Sequence, residues 1–530
     1  PSLYKKIEER IKEERWEVQG AMWVEPDTNI SGGEALIRQV VYGKRFFREE
    51  FGKDMKILWL PDVFGYTGSL PQILKKSGVD YFMTIKLSWS EINQFPHHTF
   101  NWQGIDGTKI LCHMPPEGTY NSSASPQAVK KTEAQYLDKG VSDNCLMLFG
   151  IGDGGGGPGA EHLERLERVK NLNGLLPVVQ ESSLDFFKRI DKDSHKYKTW
   201  NGELYLEKHQ GTFTSQAKNK KYNRKMEIML RELELSSMLA QINAQMVYPQ
   251  EEIEEIWKEV LLYQFHDILP GSSIKRVYDE SFDRYQVLMN KTQEMIQKSL
   301  EAVADNIDTH GINNPHMVFN SLSWERKEWI KVKDDWQYLS VPPMGYSVVD
   351  EKEIDDISDK LVVKEDCLEN ELIKLQFNDD GTIKSIYDKE YQREGIQDGV
   401  EANVLAVYDD QGDAWDFDIN YDERPFDSFQ LRSRENYIDG PKAIMKQVYN
   451  FGESKLIQKV ILTKDSRRID FKTEVQWQES NKMLRTSFPV DVYATDAICD
   501  IQFGTIKRPL NRNTSWESAK YEICAHKWVD

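Results

Sequence analysis

The spacing of apolar positions changes twice along the chain. Up to about residue 190, short apolar runs alternate with amphipathic stretches: Gly20–Val24, Ile57–Leu60, Tyr81–Ile85, Ile110–His113 and Cys145–Phe149 against segments such as Ala35–Phe51 and Leu70–Ser77. Strand-length runs separated by helix-length ones predict a parallel α/β sheet or barrel, whose site forms at the carboxyl ends of the strands. From about 215 to 310 the period becomes helical. Ile253, Ile256, Trp257, Val260 and Leu261 fall on one face, as do Tyr278, Phe282, Tyr285 and Met289, continuing through Ile296, Leu300 and Val303. With Met226–Ile242 these predict three long helices, the last two separated at Pro270-Gly271-Ser272-Ser273. Beyond about 315 the period drops to two. Leu375 and Phe377 alternate up to an Asp380-Gly381 turn, Ile383 resumes after it, and Ile469, Phe471, Thr473, Val475 and Trp477 form a longer alternating run. The predicted organisation is therefore multi-domain: a barrel-like α/β domain over 1–195, a three-helix bundle over 196–312 and an antiparallel β-sandwich region over 313–530. No repeat of 20–50 residues is visible.

Composition narrows the classes. The 530 residues carry 68 Lys+Arg against 87 Asp+Glu, a net charge of −19, with no concentrated basic run. Nucleic acid and anionic membrane both attract a basic patch, so neither is expected as a partner. No stretch of 18 apolar residues offers a spanning helix, and no secretory leader opens the chain. The five cysteines are far apart, odd in number and without a CxxC pair, which fits a reducing, cytoplasmic compartment better than a disulfide scaffold. Sequons at Asn29, Asn121, Asn290 and Asn513 are about as frequent as chance gives and do not alter that expectation.

Three segments carry candidate chemistry. Gly150-Ile151-Gly152-Asp153-Gly154-Gly155-Gly156-Gly157-Pro158 precedes a helix-like run and formally matches GxGxxG, with Glu181 downstream as a candidate ribose contact. A dinucleotide loop, a purely structural turn and a loop that presents the Asp153 carboxylate all remain open. Asp153 would stand where a pyrophosphate needs bare amides, and the match lies mid-chain, both of which weigh against the dinucleotide. In Leu58-Trp59-Leu60-Pro61-Asp62-Val63-Phe64-Gly65-Tyr66 an apolar strand stops at Pro and leaves Asp62 at its carboxyl end. Asp62 either caps the following turn or joins Asp153 as one of two carboxylates at a sheet edge, the minimum equipment for glycoside hydrolysis. The third segment, Gln264-Phe265-His266-Asp267-Ile268-Leu269-Pro270-Gly271-Ser272-Ser273, ends an amphipathic helix on a His-Asp pair. It either complements the helix dipole or supplies a metal ligand and a hydrogen-bonding carboxylate. The pair His97-His98, followed by Thr-Phe-Asn-Trp in an expected turn, reads as surface or structural.

Together LPDVFGYTGSLPQIL, GDGGGGP, QFHDILPGSS and GAMWVEPDTNISGGE resemble glycoside hydrolase family 38, the retaining α-mannosidases, and in particular its bacterial and cytosolic branch. The block order agrees over essentially the whole chain. The resemblance implies hydrolysis of terminal α-linked mannose from glycans by double displacement. It implies Asp62 as nucleophile and zinc ligand, His266 as a second zinc ligand, Asp153 as general acid/base and Asp267 as acceptor for sugar hydroxyls. Phe64 would lie against the sugar ring, Lys86 would take the place of a basic residue in other branches, and Tyr120 would lie near the sugar. Zinc, or cobalt or another divalent ion in its place, would bind vicinal hydroxyls and ease the ring toward its oxocarbenium-like state. Mannose-containing glycans are the implied partners, and self-association is left open.

One feature of the family pattern is missing. The family completes its zinc site with a His-x-Asp motif on the first barrel strand, and no His-x-Asp occurs in this chain. The expectation is a fragment of a longer protein, short of the first strand and of two metal ligands, and close to inactive by itself. A non-catalytic carbohydrate-binding relic of the same fold is the alternative.

Overall fold

The computed structural model describes residues 2–351 and 359–530. In the first block β1 (Ile57–Trp59), β2 (Tyr81–Met83), β3 (Thr99–Gln103), β4 (Lys109–His113) and β5 (Thr199–Asn201) form one sheet in the order β1-β2-β4-β3-β5. Register explains how it buries both faces. Leu58, Phe82, Cys112 and Phe100 stand side by side across four strands and enter one core with Tyr66, Trp102 and Leu204. Their neighbours Ile57, Met83 and Leu111 point the other way. There they meet Phe186, Phe187 and Ile190 of a helix at Ser183–Asp191.

The expected parallel barrel is corrected in two ways. The sheet is open, with β1 and β5 at its edges, and it is mixed, because β3 pairs antiparallel with β4. The short Asp106-Gly107 turn between them leaves no room for a crossover, so only the antiparallel pairing is available. Two predicted strands also reduce to single bridges. Gly20 pairs in parallel with Leu58, but positive φ at Gly20 (134°) and Ala21 (70°) breaks the extended backbone there. Phe149 bridges only Ser122 before Gly150 turns at φ 112°.

His97 and His98 precede strand β3 rather than a turn, and their role is structural. The Asp138 carboxylate accepts from the His98 and Thr99 amides and pairs with His97 Nδ1 at 3.1 Å. His98 Nδ1 accepts from the Leu137 amide, and buried His113 accepts from Leu146 through Nε2. Burial lowers both imidazoles, His98 to about 4. The unfolded chain therefore binds the extra proton between about pH 6.5 and 4, and stability falls as pH falls through that window. His98 alone should account for roughly 3 kcal/mol of that acid loss. Thermal melts at pH 7 and 4.5 check this: His98→Gln should narrow the gap between the two midpoints, and an unchanged gap would count against it.

The helices are as the periodicity predicts. α-Helices at Ala217–Ala244, Gln250–Leu262 and Lys275–Ala304 share a core of Leu230, Leu233, Trp257, Val260, Tyr285 and Met289. They add Ala35 and Tyr42 from the Gly33–Phe51 helix of the first block, so the bundle is welded to the sheet domain. The third block is antiparallel. Strands Ile373–Phe377 and Ile383–Asp388 lie in a five-stranded sheet. It packs Leu375, Phe377 and Ile383 against Met445, Val460 and Leu462 of a four-stranded sheet over 430–476, which is a sandwich core. At its corner Gly381 (φ 92°) lies where a Cβ would stand 2.3 Å from Tyr449 Oη.

A last hairpin, Asp496–Ile501 with Gly504–Pro509, returns to the first block. Buried Gln502 donates to Thr28 O and Ser31 O at 2.8 Å and accepts from Thr67 Oγ1 at 2.6 Å. Arg508 reaches buried Glu203 at 2.7 Å. These contacts tie the hairpin to segment 28–31, Thr67 and Glu203 of the first block. Among the described residues all five cysteines are free, and no helix is long and apolar enough to cross a membrane.

Candidate functional site

β1 stops at Pro61, and the turn that follows delivers Asp62 to the carboxyl edge of the sheet. β2 delivers Lys86 to the same edge, three residues past its last strand position. Lys86 Nζ lies 2.8 Å from Asp62 Oδ1, with the lysine side chain only 6% exposed and the aspartate 22%. The buried ammonium fixes one oxygen of that carboxylate. The same ammonium sits 5.6 Å from the ring centre of Phe64 and 4.0 Å from that of Trp89. Phe64 in turn meets His266 edge-on, with ring centres 6.0 Å apart.

His266 arrives from the bundle. Segment 25–27 pairs with 264–266: Pro26 bridges Phe265, the His266 amide donates to Glu25 O, and the Asp27 amide donates to Gln264 O. That pairing brings in Glu25, a residue the motifs contained but did not single out. Burial, and then the charge of Asp62, push its carboxyl up to about 8, so it is protonated at neutral pH. Burial lowers His266, which is therefore neutral. Asp267 lies beside it, with Oδ1 accepting from Ser272 Oγ at 2.6 Å and from Trp415 Nε1 at 3.3 Å. Tyr120 packs beside the glycine loop, where a Cβ on Gly152 would stand 2.6 Å from its Cδ2, and its phenol is pushed above the ordinary range by burial, then by the charges of Asp62 and Asp153.

Asp153 is presented differently. Ile151 and Gly157 exchange both backbone hydrogen bonds, closing 152–156 into a tight exposed loop. Gly154, Gly155 and Gly157 all have positive φ, and Asp153 itself sits at φ 50°, a conformation Asp tolerates better than most. Asp153 makes no hydrogen bond or ion pair among the described residues. The Gly152 amide donates to Asn121 Oδ1 and the Gly157 amide to Ile151 O. What tells against the dinucleotide alternative is that the loop does not join a strand of a parallel sheet to a helix, because Phe149 before it makes only a single bridge to Ser122.

Of the residues singled out from sequence, Asp62, Phe64, Lys86, His266 and Asp267 gather at one sheet edge, while Asp153 lies on the exposed glycine loop against which Tyr120 packs. Those that sequence reasoning missed are Glu25, Trp89, His209, Trp415 and Asp416. None stands at a recurrent spacing, and Trp415 lies more than 350 residues from Asp62 in the chain. Only tertiary structure brings it here.

His266 Nδ1 and Glu25 Oε2 face each other at 3.8 Å, both buried and without a hydrogen-bond partner. An unpartnered imidazole nitrogen is a donor suited to a metal, but a zinc centre takes three or four ligands. Among the described residues no group of three or more His, Cys, Asp or Glu side chains is disposed to hold a metal ion. The donors present do not by themselves fit zinc.

Comparison with known proteins gives the family. Residues 1–203 match the glycosyl hydrolases family 38 N-terminal domain, 207–303 the alpha mannosidase middle domain and 368–530 the family 38 C-terminal domain. The chain belongs to glycoside hydrolase family 38. Several alpha-mannosidases are similar over nearly the whole chain. Alpha-mannosidase 2C1 of Homo sapiens is 36% identical over 100% of this chain and 53% of its own length. Alpha-mannosidase G of Dictyostelium discoideum is 34% identical over 100% and 55%, and the alpha-mannosidase of Saccharomyces cerevisiae 34% over 98% and 49%. The chain thus spans about half the length of the curated relatives it matches. In fold it is similar to the crystal structure of an alpha-mannosidase from Enterococcus faecalis V583, with a TM-score of 0.81 at 15% identity over 98% of this chain and 71% of that one.

Proposed function

We propose that this chain carries the sugar-binding and reacting residues of a retaining exo-α-mannosidase, acting on terminal α-linked mannose of glycans. The observation that supports this most directly is the Asp62–Lys86 pair. It is a carboxylate at a strand end, paired with a buried ammonium that also lies over an aromatic ring.

In this reading Asp62 attacks the anomeric carbon as the glycosidic bond breaks, and Asp153 gives its proton to the departing oxygen. A covalent mannosyl ester on Asp62 results. Asp153, now a carboxylate, takes a proton from water, whose oxygen attacks the same carbon and releases Asp62. Two inversions leave the configuration retained. Lys86 aims Asp62, Phe64 covers the ring, and Asp267 accepts from hydroxyls. Protonated Glu25, a donor beside Asp62 and His266, adds no charge to repel the nucleophile. Because the donors present do not fit zinc, we infer that turnover by this chain alone is low. The incomplete donor set also favours a second reading, a site that binds mannosides without cleaving them.

Two measurements separate these. Calorimetric titration should detect binding of methyl α-mannoside and not of methyl α-galactoside; equal affinity for both would sink the mannose assignment. An aryl α-mannoside assay with added zinc should give little turnover from this chain. Robust turnover abolished by chelation would show that its donors suffice, and the anomer first released, read by NMR, would then decide retention.

A further inference from the structure

The third block reaches back into the site through one loop, and the contacts there serve no evident purpose in the sandwich. Residues 411–414 are exposed, yet Trp415, the next residue, packs against the core of the first block. Asp416 is anchored on His209, accepting from its backbone amide and, at 2.8 Å, from its Nδ1. Burial alone would raise the Asp416 carboxyl, but the His209 contacts hold it below its ordinary value. His209 adopts φ 66°, an uncommon conformation for a non-glycine residue, and its ring meets Phe64 edge-on at 4.8 Å. Gly211 makes room for the loop, since a Cβ there would stand 2.8 Å from Trp415 O.

The consequence falls on Asp267. Its Oδ1 is occupied by Ser272 and by the Trp415 indole, while Oδ2 has no hydrogen bond among the described residues and comes no closer than 3.7 Å to His266 Nε2. The indole N–H therefore turns the carboxylate so that one oxygen is held and the other is free for a ligand hydroxyl.

We propose that Asp410–Phe417 forms a wall of the mannoside site, with Trp415 a specificity-determining residue that orients Asp267, and Asp416 the positioning residue that seats it through His209 and Phe64. This rests on the mannoside reading above and deepens it. The loop comes from a different block than Asp62 and His266, so the sugar site is completed only when the β-sandwich docks on the α/β domain. Because the wall is an indole set against a carboxylate, the ligand it favours presents a hydroxyl to Asp267 and a C–H face to the ring.

Hydrogen exchange on the full chain tests this without requiring turnover. The probe is 1-deoxymannojirimycin, a mannose-configured iminosugar. In the unsubstituted chain it should slow exchange in 58–66 and 264–268, and also in 410–417. Asp416→Ala should speed exchange in 410–417 before ligand is added, leave 58–66 at its original rate, and weaken the probe several-fold. Asp416→Asn, which keeps one acceptor for His209, should fall between. Trp415→Phe, which keeps a ring but loses the N–H, should weaken the probe while 410–417 stays as slow as in the unsubstituted chain. Protection of 58–66 and 264–268 with none in 410–417 would overturn this inference and leave the mannoside reading intact. Protection in none of these segments would overturn the mannoside reading, and this inference with it. Full affinity in Asp416→Ala despite a loosened loop would reduce the contact to a structural one and overturn the positioning role.

Discussion

Asp62→Ala is expected to lower α-mannoside turnover by about 10⁴-fold or more in any form of the protein that turns the substrate over. A nucleophile cannot be replaced by better binding, because the covalent ester is a separate state on the path, and without it water must attack an unactivated acetal. The size of the loss alone does not assign the role. Asp62 also neutralises Lys86, and its removal leaves a buried ammonium unpaired, which costs about 3–5 kcal/mol. Asp62→Asn therefore belongs in the same experiment. It fills the same volume and offers Lys86 an acceptor, so it should melt closer to the unsubstituted protein while losing turnover just as completely. Chemical rescue then separates nucleophile from scaffold. With Asp62→Ala an azide ion occupies the vacated space and attacks the anomeric carbon directly, so the product should be the β-mannosyl azide, inverted once. Formation of the α-azide, or turnover within tenfold of the original, would remove Asp62 from the role.

Much of this site was legible before any coordinates, and the reason is local. Asp62 announces itself because Pro61 ends a buried strand and Gly65 turns the chain back, so a carboxylate in that position has nowhere to go but the sheet edge. Asp153 stands out because glycines surround it. His266-Asp267 is visible because an amphipathic pattern stops there. Each is a signal written over about ten residues. The three bundle helices were legible for the same reason, since an i, i+3, i+4 stripe needs no knowledge of its partner. What stayed hidden depends on partners. Period and run length do not reveal strand direction, so the sheet reads as parallel from sequence; the three-residue Ile105-Asp106-Gly107 connection is what makes β3 and β4 antiparallel. Gly20–Val24 has the hydropathy of a strand, although Gly20 and Ala21 adopt positive φ that hydropathy does not encode. Glu25 matters only because residues 25–27 pair with 264–266, and Trp415 only because the β-sandwich docks where it does. Such contacts leave no trace in spacing.

Asp153 offers the sharper test, because its two tasks fall on different steps and different substrates. As general acid it assists departure of a natural alcohol, which leaves poorly as an alkoxide; a dinitrophenolate leaves without help. As general base it is needed to free the mannosyl enzyme whatever the first leaving group was. Asp153→Asn is the preferred variant, since Asn tolerates φ 50° as Asp does and cannot transfer the proton. The residue is exposed and unpartnered, so the melting temperature should scarcely change. With an α-linked mannobiose, kcat/KM should fall by about 10²–10⁴-fold. With 2,4-dinitrophenyl α-mannoside kcat/KM should hold nearly constant, because the first step governs it, while kcat and KM fall together as the ester accumulates. A burst of dinitrophenolate followed by slow release is then the expected time course. Azide, which needs no base, should restore the steady rate and yield the α-mannosyl azide, retained after two inversions and opposite to the product from Asp62→Ala. Equal losses on both substrates, with no burst and no azide effect, would make Asp153 a loop residue whose carboxylate takes no part in proton transfer. The glycine loop would then be read as a turn, and the acid/base sought in protonated Glu25, whose carboxyl at about 8 already carries a proton beside Asp62 at neutral pH.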